Sequence, residues 1–121
     1  AWESNGLVKS STAQKLNALE ILDEQNSPNE FMLFQNYPNP FNPRTAIRFT
    51  IHEPQTATLK VYDVLGREVT TLLHNEKLSE GTHEIPFNAS AFASGVYFYR
   101  LHILNEVGNA QSLVRKMMLV K

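Results

Sequence analysis

From residue 45 onward, apolar and polar positions alternate with period two. Ile47, Phe49 and Ile51 fall on one face and Arg48 and Thr50 on the other, the pattern of a half-buried strand. Residues 58–62 repeat it with Leu59 and Val61 inward, and residues 68–73 follow after a turn at Asp63-Val64-Leu65-Gly66-Arg67. Gly66 accepts the positive φ that ends such a turn, so these two strands are expected to form a hairpin. Glu80-Gly81, Ser94-Gly95 and Gly108-Asn109 punctuate three further runs at 82–87, 96–103 and 112–121. Pro86 cannot donate to a ladder, which places its strand at an edge or a bend. About seven short strands separated by turns predict an all-β antiparallel sandwich of two sheets. The expected core is Ile47, Phe49, Ile51, Leu59, Val61, Val69, Leu72, Ile85, Phe87, Tyr97, Leu101, Met117 and Leu119.

The first 30 residues read differently. Leu16, Leu19 and Leu22 recur at three-residue spacing beside Ile21, and Ser11 with Gln14 fits a capping box, so a short helix is expected over 12–24. Asn26-Ser27-Pro28-Asn29-Glu30 then breaks it. The charge changes at the same place, from a net −3 over residues 1–30 to +2 over residues 31–121. Residues 1–30 are thus expected to be a linker or the end of an upstream domain, and 31–121 a module of its own. The start at Ala1, with no basic segment leading into an apolar one, reads as a piece of something longer.

Composition narrows the function. The 121 residues hold no cysteine, which removes thiol nucleophiles, Cys-based zinc sites and disulfides. Eleven basic residues against twelve acidic ones lack the excess a nucleic-acid binder carries, and no apolar run approaches the ~18 residues of a membrane span. Asp63, the single aspartate after residue 30, sits where a turn wants a side chain that bonds its own backbone. The histidines at 52, 74, 83 and 102 have no ligand spacing and read as solvated. No catalytic, metal or cofactor cluster is expected. In residues 96–100, Tyr97 and Tyr99 share one face and Phe98 takes the other, so at least one large ring is expected outside the core as a contact candidate.

The run Asn36-Tyr37-Pro38-Asn39-Pro40-Phe41-Asn42-Pro43 is the most distinctive segment. Its prolines hold φ at about −65° and push each preceding residue toward extended geometry, which predicts a stiff lead-in that Tyr37 and Phe41 can anchor, a rigid edge segment closing one end of the sandwich. Taken together, FQNYPNPFNPRTAIRF, VYDVLGREV, GTHEIPF, SGVYFYRL and RKMMLVK resemble, in order and spacing over residues 33–121, the type A C-terminal sorting domain of the type IX secretion system. The resemblance implies an immunoglobulin-like sandwich related to the Ig-like domain of flagellar hook-capping proteins. It implies an address rather than a catalyst, carried by a secreted or cell-surface protein that crosses the periplasm of a Gram-negative bacterium. The implied partners are the outer-membrane translocon, its surface peptidase and an upstream cargo domain in the same precursor.

Position by position, the family's turn glycine and arginine fall on Gly66 and Arg67, its strand-opening pair on Gly95 and Tyr97, and its terminal Lys-apolar pattern on Lys116, Met117, Leu119 and Lys121. These last four are the implied recognition residues. Phe87 stands where many members carry tryptophan. A carbohydrate-binding or spacer sandwich is the competing class, since exposed rings can stack on sugars, and an enzyme is the third.

Overall fold

A computed structural model describes residues 31–121, which fold as seven strands in two sheets. The strands are β1 (Met32–Leu33), β2 (Arg44–Ile51), β3 (Gln55–Tyr62), β4 (Glu68–Leu78), β5 (Gly81–Asn88), β6 (Gly95–Leu104) and β7 (Ala110–Leu119). One sheet has the order β1-β2-β5 and the other β4-β3-β6-β7, with every pairing between strands antiparallel. This is the all-β sandwich that the alternation predicts. The helix expected over 12–24 lies outside the described residues.

Alternation explains the core directly. In β2, Thr45, Ile47, Phe49 and Ile51 are buried, and in β3, Gln55, Ala57, Leu59 and Val61 are. Both inner faces meet with the period that a pleated strand imposes. Leu101, Ile103, Met117, Leu119, Phe87 and Tyr99 complete the interior with Leu33, Phe41 and Ala89. Pro86 lies on β5, an edge strand of its sheet.

Four expected core residues sit at the rim instead. Val69, Leu72, Ile85 and Tyr97 are half-buried and pack against the core from outside. Tyr99, not Tyr97, is the fully buried ring. Both point inward, but Tyr97 lies near the end of the sandwich, where its hydroxyl donates to the Ala93 carbonyl at 2.6 Å. Phe98, on the opposite face, is half-buried. Strand β4 also runs five residues further than its period suggests. Register shifts along β3 and a positive φ of 49° at Asn75 interrupt the alternation while the ladder continues to Leu78.

Candidate functional site

The lead-in and the last strand, far apart in sequence, come together. The lead-in preceding β2 crosses to β7 and pairs with it. The Phe41 amide donates to the Met118 carbonyl and the Val120 amide donates to the Phe41 carbonyl, both at 2.9 Å, in a parallel bridge to Leu119. Asn39 Oδ1 accepts the Met118 amide at 3.0 Å, and Gln35 Nε2 donates to the Lys116 carbonyl at 2.7 Å. Arg115 Nε donates to the Leu33 carbonyl at 2.7 Å, tying β7 to β1 of the other sheet. The C-terminal half of β7 is therefore held on both sides, by β6 and by the lead-in, whose bonds to it form a clamp.

The lead-in is itself fastened from within. Asn36 is buried, with its side-chain amide donating to Thr45 Oγ1 at 3.0 Å and to the Pro38 carbonyl at 3.1 Å. The Tyr99 hydroxyl accepts the Asn36 amide N–H at 2.8 Å and donates to the Phe34 carbonyl at 2.7 Å. Burial pushes the Tyr99 phenol above its ordinary value, against the opposing pull of the Asn36 amide and the Arg115 charge. Phe41 fills the space between lead-in and core, its ring 6.0 Å from that of Phe87, which in turn lies 6.0 Å from Phe92. Phe87 is buried among these rings.

Of the recognition residues implied by resemblance, Met117 and Leu119 are each 1% exposed and Lys116 is exposed. Lys121 is exposed yet engaged: its Nζ donates to the Ser90 carbonyl at 2.7 Å and its amide to Ser94 Oγ at 3.0 Å. Tyr37, expected to anchor the lead-in together with Phe41, does not do so with its ring, which is 82% exposed because only its backbone is held, through paired bonds to Ala46. Pro38, Asn39 and Pro40 are exposed on the lead-in.

Asp63, Gly66 and Arg67 come together at the β3–β4 turn, apart from the clamp. Asp63 Oδ1 accepts the amides of Leu65 (2.9 Å) and Arg67 (3.0 Å), and Oδ2 accepts Arg67 Nε at 2.8 Å. The Arg67 amide, helped by the Arg67 side chain and the Leu65 amide, holds the Asp63 carboxyl below its usual range. Gly66 has φ +82°, a conformation that a side chain disfavours. The β6–β7 turn has the same construction, with Asn105 Oδ1 accepting the Val107 and Asn109 amides and Gly108 at φ +95°. Gly95 opens β6 opposite Leu119.

Two histidines are less solvated than their sequence context suggests. His83 is half-buried, stacked on Phe49 with ring centroids 5.5 Å apart, because its position on β5 faces the interior. His102 is half-buried on β6, where Nδ1 lies 2.8 Å from Ser112 Oγ. Among the described residues, no group of three or more His, Asp or Glu side chains is placed to hold a metal ion, and no helix is long and apolar enough to cross a membrane. The clamp itself was missed by sequence reasoning. Only the stiffness of the proline-rich lead-in hinted that it has a fixed structural partner.

A family model described as the secretion system C-terminal sorting domain matches residues 35–118. No curated protein matches the chain. Among solved structures, the crystal structure of CopC from Methylosinus trichosporium OB3b is similar, with 14% sequence identity and a TM-score of 0.49, over 74% of this chain and 93% of that one. The family match runs from the lead-in through the turn at Gly66 to Met118 in the last strand, and so spans both partners of the clamp; the chain belongs to the secretion system C-terminal sorting domain family, the sorting tails of type IX secretion.

Proposed function

We propose that this domain is a non-catalytic address that directs a cargo protein, joined to it through residues 1–30, across the outer membrane by type IX secretion. The translocon reads the end of β7. Lys116 and Lys121 present charge, while Met117 and Leu119 anchor the strand so that the charge stands at a fixed place. The cargo is released to the medium or left on the cell surface, where the pathway's surface peptidase acts on the junction.

The observation that carries this reading is the double fastening of residues 116–120. A receptor that binds a preformed strand end does not bear the entropy of ordering it, about 1–2 kcal/mol per residue. Lys116 adds an exposed cation that steers association without contributing to the core. The test fuses the full chain to a periplasmic reporter in a host with this pathway. Lys116→Glu leaves Met117 and Leu119 in place and is expected to keep the reporter in the periplasm. Undiminished secretion, with the circular dichroism spectrum unchanged, would remove Lys116 from the recognition surface.

A further inference from the structure

Two sheets leave four edges, and three are blunted against pairing with another chain. β1 is two residues long, β5 carries Pro86, and β4 has register shifts, a positive φ at Asn75 and the charges of Glu68, Glu76 and Lys77. These are the recognised defences of an edge strand. The fourth edge, β7, is defended only along its C-terminal half, by the lead-in.

Along residues 110–115 of β7 the one such device is the charge of Arg115. The strand holds no proline, and its register with β6 is unbroken from Gly95↔Leu119 to Leu104↔Ala110. Arg115 folds away toward the Leu33 carbonyl. The bonds to the lead-in identify which backbone groups point away from β6: the Lys116 carbonyl, both groups of Met118 and the Val120 amide. An antiparallel ladder alternates strictly, so the amides and carbonyls of Ser112 and Val114 and the Lys116 amide face the same open side. Among the described residues they have no backbone partner outside the strand ladder. The cause is geometric: the sheet opposite offers only β1 on this side, and β7 overhangs it, with every residue from Ala110 to Lys116 exposed.

The surroundings select an occupant. β6 and β7 together carry Arg100, Arg115 and Lys116 and no Asp or Glu. Beside the open edge, Tyr62, Asp63, Val64, Gly66, Phe98, Arg100 and Val114 line a groove of about 360 Å³, in which the one acid, Asp63, is already paired with Arg67 at 2.8 Å. An added strand would therefore present an apolar side chain to the groove and acidic ones to the cations. A second copy of the chain fits poorly, because its own β7 would bring Arg115 and Lys116 toward the same charges and no acid to meet them.

We infer that the open edge at residues 110–115 is a strand-acceptor site, which takes an extended acidic segment with an apolar residue at its centre by β-augmentation. It lies beside the proposed address at 116–121 but does not depend on it, since the inference rests on unpaired backbone groups and not on the sorting role.

The probe is a capped peptide, Thr-Glu-Thr-Val-Thr-Glu-Thr, which when extended places Glu, Val and Glu on one face. Titrated into the full chain, it is expected to shift the amide resonances of Ser112, Val114 and Lys116 most. Replacing both glutamates by lysine is expected to weaken binding about tenfold. Val114→Pro deletes an amide that the β6 ladder does not use, so it should abolish the peptide response while the chain stays folded. Slow exchange of these three amides in the protein alone would overturn the open edge. So would shifts mapping to β4 or β5, or equal affinity for the lysine peptide. Concentration-dependent dimerisation lost in Val114→Pro would assign the edge to a second copy instead. Should that variant unfold, the exchange map and the peptide pair on the unaltered chain decide the matter alone.

Discussion

The two halves of the last strand are a controlled comparison, with one backbone, one sheet and two fates. Residues 116–120 have β6 on one side and the lead-in on the other, and their inward side chains Met117 and Leu119 are buried. Among the described residues, 110–115 have β6 alone, and there Leu113 is 37% and Val114 56% exposed. Apolar content does not separate them, because both halves carry it. What differs is whether the opposite sheet and the lead-in reach far enough to cover the strand. Stability should therefore concentrate at one end of β7 and exposure at the other.

The largest way to break the comparison is Phe41→Ala. Phe41 is 1% exposed and supplies both the ring against Phe87 and the backbone bridge to Leu119. A loss of about 3–5 kcal/mol is expected in denaturant melts, from transfer and cavity terms together. Amide exchange at Val120 should also approach the rate at Val114. Unchanged protection at Val120 would show that the backbone bridge at position 41 persists without the ring.

Next is a matched pair of truncations. Met117→Ala should destabilise by about 2–5 kcal/mol, whereas Val114→Ala, in the uncovered half, should stay within about 0.5 kcal/mol. Similar values for both would mean that the overhang is packed in solution and that the two halves do not differ.

Much of this division was written in the chain, but not at the level of the clamp. Alternation placed Ile47, Phe49, Ile51, Leu59, Val61, Leu101, Met117 and Leu119 correctly because each needs only local parity and a buried face. Tyr97 and Tyr99 have the same parity, so local pattern cannot rank their depth; the Asn36 amide that donates to the Tyr99 hydroxyl and the Phe34 carbonyl that accepts from it lie more than 60 residues away. The extension of β4 was hidden by the shifts that break its period. The turn at Asp63 was legible since its hydrogen bonds close within five residues. The bridge from Phe41 to Leu119 leaves no periodic trace in either segment, and the family resemblance pointed to the segments without revealing that they touch.

A smaller effect tests the inner fastening. Tyr99→Phe leaves the Asn36 amide and the Phe34 carbonyl without their shared partner, at an expected cost of about 1–3 kcal/mol. The pH dependence has a fixed sign. Burial raises the folded phenol above its ordinary 10.0, so the stability from keeping it neutral is fully present below that value and is lost as pH rises through the folded one. The native chain should weaken in that alkaline range more steeply than the phenylalanine variant. Parallel curves would remove Tyr99 as the source.

The smallest expected effect is also the most local. Asn39 is exposed, and its Oδ1 accepts the Met118 amide at 3.0 Å from outside the strand. Asn39→Ala removes that acceptor where water can replace it, so the global cost should be only about 0.5–1 kcal/mol. Phe41 continues to accept the Val120 amide and to donate to the Met118 carbonyl, and the strand end should stay in place. Exchange at Met118 should then quicken toward the rate of Val114 while Val120 is unchanged. Equal acceleration at Met118 and Val120 would mean that the clamp opens as one unit, and the sharp line between the covered and uncovered halves of β7 would have to be redrawn as a gradient.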